Sequence, residues 1–367
     1  AANIAVSSSN CKGNNVTVTL SNMVDGSYTI NYNLSLANVL ANQNANVNIV
    51  NGSGTFTINA TDVPNIGTTR VTFLSITNIT TTCITLINPN VSADFILKPS
   101  PNLETKNIVI DDICIGGSLK VVISGATAGL VDGNYQFAYS IPNATPTTGN
   151  SGIVTIADGT GQFTVPASYF TNAGDYNFTI TSISNLTSGC NNLSEDASAT
   201  FQVFPIPDVS GATINATSAC LNFSNEVFIT GAINLSDGIY TINYQLSGAN
   251  SSTSSSSVTF VNGRGSFIIP ATDLNNSGNV TITVTQLTSN VSQCGSSASV
   301  INPFTFAVTE LETPEIVTKG NEFCDADNPT IADLSANVTT SGTIVWYDVP
   351  SGGQVLNDTD LLEDGNT

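Results

Sequence analysis

The stretch Asp25-Gly26-Ser27-Tyr28-Thr29-Ile30-Asn31-Tyr32-Asn33-Leu34 alternates apolar and polar side chains behind a turn dipeptide. Tyr28, Ile30, Tyr32 and Leu34 fall on one face, and Thr29, Asn31 and Asn33 on the other. Period two with aromatic and β-branched residues is the pattern of a half-buried strand. The pattern returns at Asp132-Gly133-Asn134-Tyr135, followed by Phe137, Tyr139 and Ile141, and at Asp237-Gly238-Ile239-Tyr240, followed by Ile242, Tyr244 and Leu246; the offsets are 107 and 105 residues. A second landmark, Gly-x-Gly-x-Phe, stands at Gly52/Gly54/Phe56, Gly159/Gly161/Phe163 and Gly263/Gly265/Phe267, with offsets of 107 and 104. Ala60, Ala167 and Ala271 come four residues after each Phe, and Gly67, Gly174 and Gly278 come later. Four landmarks in the same order at the same spacing mark three homologous units of about 105 residues.

Each unit carries further alternating runs, such as Val71 and Phe73, Phe178 and Ile180, and Val280, Ile282 and Val284. Turn residues arrive every 8–12 residues, and about seven short strands in such a length predict an immunoglobulin-like sandwich. The three Asp-Gly pairs read as hairpin turns, since Gly tolerates positive φ. The Gly-x-Gly pairs read as turn or bulge glycines between strands; they fail as phosphate loops because no helix follows. Tyr28, Tyr32 and their equivalents share a face with Ile and Leu, which assigns them to the core rather than to a sugar-stacking platform. Proline-bearing stretches, Lys98-Pro99-Ser100-Pro101, Phe204-Pro205-Ile206-Pro207 and the segment up to Pro314, divide the chain into repeat 1 (1–101), repeat 2 (102–207), repeat 3 (208–314) and the start of a truncated fourth domain (315–367). The expected fold class is all-β: tandem immunoglobulin-like β-sandwich domains in an extended array, with short stiff links.

The 367 residues are 40% hydrophobic and 9% charged, with 7 Lys plus Arg, 27 Asp plus Glu, no His and a formal charge of −20. Seven scattered basic residues exclude nucleic acid as a partner, since phosphate neutralisation needs clustered Lys or Arg. Without histidine, His-based catalysis and His-ligated metal are impossible, and no carboxylate recurs across the units except Asp25/Asp132/Asp237, which has a turn role. The chain reads as no enzyme. No apolar run reaches the roughly 20 residues of a spanning helix, so no membrane insertion is expected. The net charge is 0 over residues 1–101, −6 over 102–207, −5 over 208–314 and −9 over 315–367. One reading of that gradient is solubility outside the cell. The sharper reading is calcium at the domain junctions, with Asp111, Asp112, Asp325 and Asp327 as oxygen ligands. No other cofactor is expected, and no EF-hand or nonapeptide calcium motif is present.

Of the seven cysteines, Cys11 and Cys83 lie in repeat 1, Cys114 and Cys190 in repeat 2, and Cys220 and Cys294 in repeat 3, at separations of 72, 76 and 74 residues. One pair per unit at matching places predicts three intradomain disulfides, Cys11–Cys83, Cys114–Cys190 and Cys220–Cys294, and an oxidising, extracytoplasmic site. Each loop would contribute about 4 kcal/mol in the chain-entropy model. The second cysteine of each pair follows a polar stretch and is expected near a strand end. Cys324 would open the fourth domain. The units differ most between the Tyr strand and the Gly-x-Gly turn, at 36–50, 143–148 and 251–257. Variation in one loop over a constant core is either drift or the way a binding surface is built.

The run Phe323-Cys324-Asp325-Ala326-Asp327-Asn328-Pro329-Thr330-Ile331-Ala332-Asp333-Leu334, followed by Ile344-Val345-Trp346-Tyr347-Asp348 and Gly352-Gly353, resembles the immunoglobulin-like repeats of Bacteroidota surface proteins. With the Asn-, Thr- and Ser-rich units, the chain resembles the repeat region of the giant, repetitive, SprB-like gliding-motility adhesins of that phylum. The resemblance implies type IX secretion, display on the outer-membrane exterior, and movement by the gliding machinery through other parts of the chain. The expected function is a non-enzymatic segment of a secreted cell-surface adhesin, a stalk or adhesive repeats, with a surface polysaccharide or other substratum as partner. The alternative is a carbohydrate-binding accessory region of a secreted polysaccharide-degrading enzyme, which needs solvent-facing aromatics on one sheet. A shell or filament subunit would need strand exchange between chains, against which three closed tandem units argue.

Overall fold

The structure is a computed structural model describing residues 3–7, 10–193, 195–296, 301–311, 314–317, 319, 321–340 and 342–362, with the backbone alone at 88, 89 and 325. The chain divides into two compact units, Ala1–Ile206 and Pro207–Thr367. The first holds two β-sandwiches; the second holds one, together with the residues after it.

The first sandwich sets the pattern. Its strands are β1 (Asn3–Val6), β2 (Asn10–Cys11), β3 (Val16–Ser21), β4 (Gly26–Leu36), β5 (Leu40–Ile49), β6 (Ser53–Ile58), β7 (Gly67–Asn78) and β8 (Ile84–Lys98). They form a three-stranded sheet, β1-β3-β6, and a five-stranded sheet, β2-β8-β7-β4-β5. Neighbours are antiparallel except β2, which runs parallel to the end of β8, with Asn10 opposite Leu97 and Cys11 opposite Lys98. Val16, Val18 and Leu20 from one sheet meet Ile30, Tyr32, Leu34, Val71 and Phe73 from the other in a dry core. The same plan recurs over residues 108–204 and 213–309. In the second sandwich the counterparts of β5 and β8 are each broken in two, at Thr148–Asn150 with Val154–Ile156 and at Asn191–Asn192 with Ser198–Phe204, which raises its larger sheet to seven strands. Of the alternating tyrosines, Tyr32, Tyr135, Tyr139, Tyr240 and Tyr244 are buried in the core, while Tyr28 is half-buried and packs against it. The chain is thus an all-β tandem run of immunoglobulin-like sandwiches.

The Asp-Gly pairs are not hairpins, because β3 and β4 belong to different sheets and Asp25-Gly26 lies on the crossover between them. The tight turns sit one landmark later, at Asn51-Gly52, Asp158-Gly159 and Asn262-Gly263. Both residues of each have positive φ (51° and 77°, 48° and 66°, 50° and 71°), as a type I′ turn requires, and each turn closes a single bridge, Val50–Ser53, Ala157–Thr160 or Val261–Arg264. The following glycine has a separate reason: a Cβ on Gly54 would stand 2.5 Å from the Asn48 carbonyl oxygen, and one on Gly161 2.5 Å from Ile156 Cδ1. The recurring alanine opens a 3-10 turn in each repeat, at Ala60–Asp62, Ala167–Tyr169 and Ala271–Asp273.

The two landmarks are bonded to each other. Asp25 Oδ1 accepts from the Gly52 N–H (2.8 Å), Asp132 Oδ1 from Asp158 (2.8 Å) and Asp237 Oδ1 from Asn262 (2.7 Å). The tyrosine two residues past each Gly donates to the carbonyl four residues upstream: Tyr28 to Val24 (3.0 Å), Tyr135 to Val131 (2.7 Å) and Tyr240 to Ser236 (2.9 Å). A third shared feature is a bulge that shifts register at Asn31/Tyr32, Ala138/Tyr139 and Asn243/Tyr244, each time through one extra residue on β7 or its counterpart.

Among the described residues after 314, Glu315–Ile316 pairs with Val338–Thr339 around the five-residue helix α1 (Ile331–Ser335). The Thr330 N–H donates to Asp333 Oδ2 (2.8 Å) at the start of α1, and Trp346 Nε1 donates to Ser335 Oγ (2.8 Å) at its end.

Candidate functional site

Sandwich topology decides where each cysteine stands. The first cysteine of each repeat lies on the short strand parallel to the last one: Cys11 opposite Lys98, Cys114 opposite Phe204, Cys220 opposite Thr309. This is level with the start of β7, since Gly67 pairs with Leu97. The second cysteine lies beyond the end of β7 or its counterpart, where Asn78 donates to the Cys83 carbonyl (3.0 Å), Asn185 to Cys190 (2.9 Å) and Ser289 to Cys294 (2.9 Å). The two cysteines of one repeat are therefore at opposite poles, a 12-residue strand apart. At about 3.3 Å per residue that is about 40 Å, whereas a disulfide needs Cα atoms within about 7 Å.

The expected intradomain pairs do not form. Cys11 is bonded to Cys190, with Cα atoms 5.6 Å apart across a sequence separation of 179, so the bond joins repeat 1 to repeat 2. Cys11–Cys83, Cys114–Cys190 and Cys220–Cys294 are each overturned, because Cys190 is taken by Cys11 and Cys83 and Cys220 are free and exposed, as is Cys324. Cys114 and Cys294 are disulfide-bonded as well. The matching spacing that suggested pairing within repeats instead records that every repeat carries one cysteine at each pole.

Around the Cys11–Cys190 bond the junction is built from both repeats. The Lys12 N–H donates to the Lys98 carbonyl (2.9 Å), and Ser100 Oγ of the linker donates to the Lys12 carbonyl (2.7 Å). Lys98 Nζ reaches across to the Ser188 carbonyl (2.9 Å), two residues before Cys190. On the far side, Asn185 Oδ1 accepts from Thr187 (2.9 Å) and Ser188 (2.8 Å), and its Nδ2 donates to the Tyr135 hydroxyl (2.8 Å), so the cysteine-bearing turn hangs from the repeated tyrosine of its own sandwich. The buried Glu195 carboxylate fixes the incoming linker by accepting from the Leu103 N–H (3.0 Å) and from Asn192 Nδ2 (3.1 Å). A polar cleft of about 610 Å³ opens beside the bond, lined by Lys12, Asn14, Ser100, Asn102 and Asn191 among others. Lys98, Ser188 and Glu195 were not singled out by the sequence; the Pro-bearing linker next to Lys98 was the one signal pointing here.

The remaining candidates are dispersed. Asp112 Oδ1 accepts from the Gln202 N–H (2.7 Å), Asp327 sits in a 3-10 turn at Asp325–Asp327, and the Asp325 side chain lies outside the described residues. Among the described residues no three His, Cys, Asp or Glu side chains are grouped to hold a metal, and no helix is long and apolar enough to cross a membrane. The varied segment is not a loop in repeats 1 and 3: it holds the edge strands Leu40–Ile49 and Ser252–Phe260. Its outward asparagines in repeat 1 bond to the neighbouring strand, Thr29 to Asn46 (2.8 Å) and Asn31 to Asn44 (3.0 Å).

No family model matches the chain, and no curated protein matches it. Solved structures that are similar include three fibronectin domains, FN1–FN3, of chicken CNTN1 (TM-score 0.36, 12% identity, covering 83% of this chain and 97% of that one). A marsupial T cell receptor (TM-score 0.34, 9% identity, 77% and 95% covered) and the titin domains I67–I69 (TM-score 0.32, 10% identity, 84% and 98% covered) are also similar.

Proposed function

We propose that the chain is a stalk segment of a secreted cell-surface adhesin of the gliding-motility kind, exported by type IX secretion and displayed on the outer-membrane exterior. In this reading the repeats space and carry load. The observation that carries it is the Cys11–Cys190 bond: a covalent tie between successive sandwiches fixes a joint, which serves a spacer and serves no reaction. The strand arrangement suits the same task. β2, the second strand of a repeat, lies side by side and parallel with β8, its last, so tension that reaches these two strands loads their hydrogen bonds together in shear. The bond also fits an oxidising location.

The carbohydrate-binding alternative asks for a row of exposed rings. Among the described residues the exposed aromatics are Phe223, Phe228 and Tyr347, and no two of them stand on one sheet. The test has two arms. Antibody against the purified chain is expected to label intact, unpermeabilised cells of its source; label only after permeabilisation overturns the surface placement. The purified chain is expected to show no saturable binding to polysaccharides, agar or glass, with or without calcium; saturable binding to one of them replaces the spacing role with an adhesive one.

A further inference from the structure

The two halves of the Cys11–Cys190 joint are not equally reachable. Cys11 lines the polar cleft of about 610 Å³ beside the bond, whereas Cys190 does not, although its neighbours Gly189 and Asn191 do. Cys11 is 7% exposed and Cys190 0%. The Cys190 backbone is held on both sides: its N–H donates to Ser188 Oγ (3.2 Å), and its carbonyl accepts from the Asn185 N–H (2.9 Å). Lys98 Nζ fastens the same turn to repeat 1 through the Ser188 carbonyl (2.9 Å). A nucleophile entering the cleft therefore meets Cys11, and reaching Cys190 would require this turn to open first.

The cleft also selects by charge. The chain carries 27 Asp plus Glu against 7 Lys plus Arg, yet Lys12 is the one charged residue on the cleft wall, and no acidic side chain lines it. The Lys12 ammonium enters none of the ion pairs among the described residues, which are Arg70–Asp94, Lys106–Glu104 and Lys319–Glu322. Asn14, Asn102 and Asn191 add amide groups to the wall, and an amide can donate to a carboxylate. The Glu195 carboxylate of the joint is buried and already accepts from Leu103, Asn192 and Asp196.

We propose that this cleft is the entry site for a small thiol bearing a carboxylate, which opens the joint by attack on Cys11. The thiolate of the small molecule attacks Cys11 Sγ. The Cys11–Cys190 bond breaks, and its electron pair leaves on the Cys190 sulfur, which takes a proton from solvent. Cys11 is left in a mixed disulfide. A second small thiolate attacks the small-molecule sulfur of that mixed disulfide, and Cys11 leaves as a thiolate and is protonated in turn. Two small thiols are oxidised to one disulfide, and the protein disulfide is reduced to two thiols. The inference rests on the geometry of the joint and is independent of where the chain is displayed.

The experiment uses the full chain carrying Cys83→Ser, Cys220→Ser and Cys324→Ser, so that none of these thiols enters the exchange. The folded chain is treated with mercaptopropionate, quenched in acid, alkylated and mapped by mass spectrometry. The first adduct is expected on Cys11, with Cys190 alkylated, at about tenfold over the reverse arrangement, because access decides which sulfur is attacked. At low ionic strength mercaptopropionate should react about threefold faster than cysteamine, each rate normalised to thiolate concentration; Lys12→Glu should reverse that order, and about 1 M salt should remove it. Asn191→Trp fills the cleft without changing its charge; it should slow adduct formation about tenfold at an unchanged melting temperature. Adducts on Cys190, or an even split between the two sulfurs, would overturn the proposed entry. So would cysteamine reacting as fast as mercaptopropionate, an unchanged rate in Asn191→Trp, or the absence of any adduct until the chain is unfolded.

Discussion

Tyr135 ties three parts of its sandwich together: its hydroxyl donates to Val131 (2.7 Å) and accepts from Asn185 (2.8 Å), and Asn185 in turn holds the turn that presents Cys190. Burial raises its pKa above the ordinary tyrosine value. Tyr135→Phe keeps the ring and leaves a buried donor and a carbonyl without their partner, so it should cost about 1–2 kcal/mol. Denaturant unfolding of the full chain should show the loss in one transition, and Tyr28→Phe, at a more exposed site with one hydrogen bond, should cost less. A Tyr135→Phe midpoint equal to that of the parent chain would mean that the hydroxyl contributes nothing. The burial of this tyrosine was legible from alternation alone. The partner of Asp132 was not: the spacing between Asp-Gly and Gly-x-Gly is nearly constant in sequence, but the strand between them can take many paths, and nothing in the spacing says that the carboxylate crosses to cap the later turn.

At the scale of elements, the cysteines show where pattern stops and topology begins. A repeated spacing says that three places are equivalent; it does not say whether two of them are near. The sequence placed the second cysteine at a strand end, which is correct. Knowing that the first cysteine precedes the strand Val16–Ser21 on a segment parallel to the last strand would have put it at the other pole and ruled out pairing within a repeat. The bulge was legible in principle, because the buried positions Ile180 and Ile183, and Val284 and Leu287, are three apart where alternation demands two. In the chain-entropy model, closing a loop of 179 residues stabilises by about 5 kcal/mol. Cys11→Ser with Cys190→Ser should therefore cost about 2–5 kcal/mol, read as a lower melting temperature without reductant. Cys83→Ser alone should change stability by less than about 0.5 kcal/mol. If the two variants melt alike, the junction bond has no stabilising role.

For the whole molecule, the absence of histidine and the presence of buried tyrosines set the response to pH. Burial first, with nearby carboxylates second, raises Tyr32, Tyr240 and Tyr244 above the ordinary tyrosine value. Burial also raises Tyr139, helped by its contact with Tyr169. A group whose folded pKa exceeds its unfolded one binds its proton more tightly when folded. The stability this contributes is complete below about pH 10, the unfolded tyrosine value, and is lost as pH climbs through the folded values. Spectroscopic titration should show late, cooperative tyrosine ionisation coincident with loss of β-structure; gradual ionisation near pH 10 in a chain that stays folded would contradict the burial. Tandem sandwiches could be read from sequence because core alternation is local. The joint could not, because its groups come from segments far apart in the chain, Lys98 with Ser188 and Cys11 with Cys190. That same bond also governs how the chain stretches. Tension entering ahead of Cys11 passes straight through the sulfur atoms to Cys190, so the residues between them add nothing to the reach of the chain even when unfolded. At about 3.4 Å per residue, roughly 600 Å of contour length lies between the two sulfurs, held in reserve by this bond and by the disulfide that engages Cys114 within the stretch, and released in full only when a reductant or an exchanging thiol opens both, which makes the elasticity of this stretch a readout of the redox state around it.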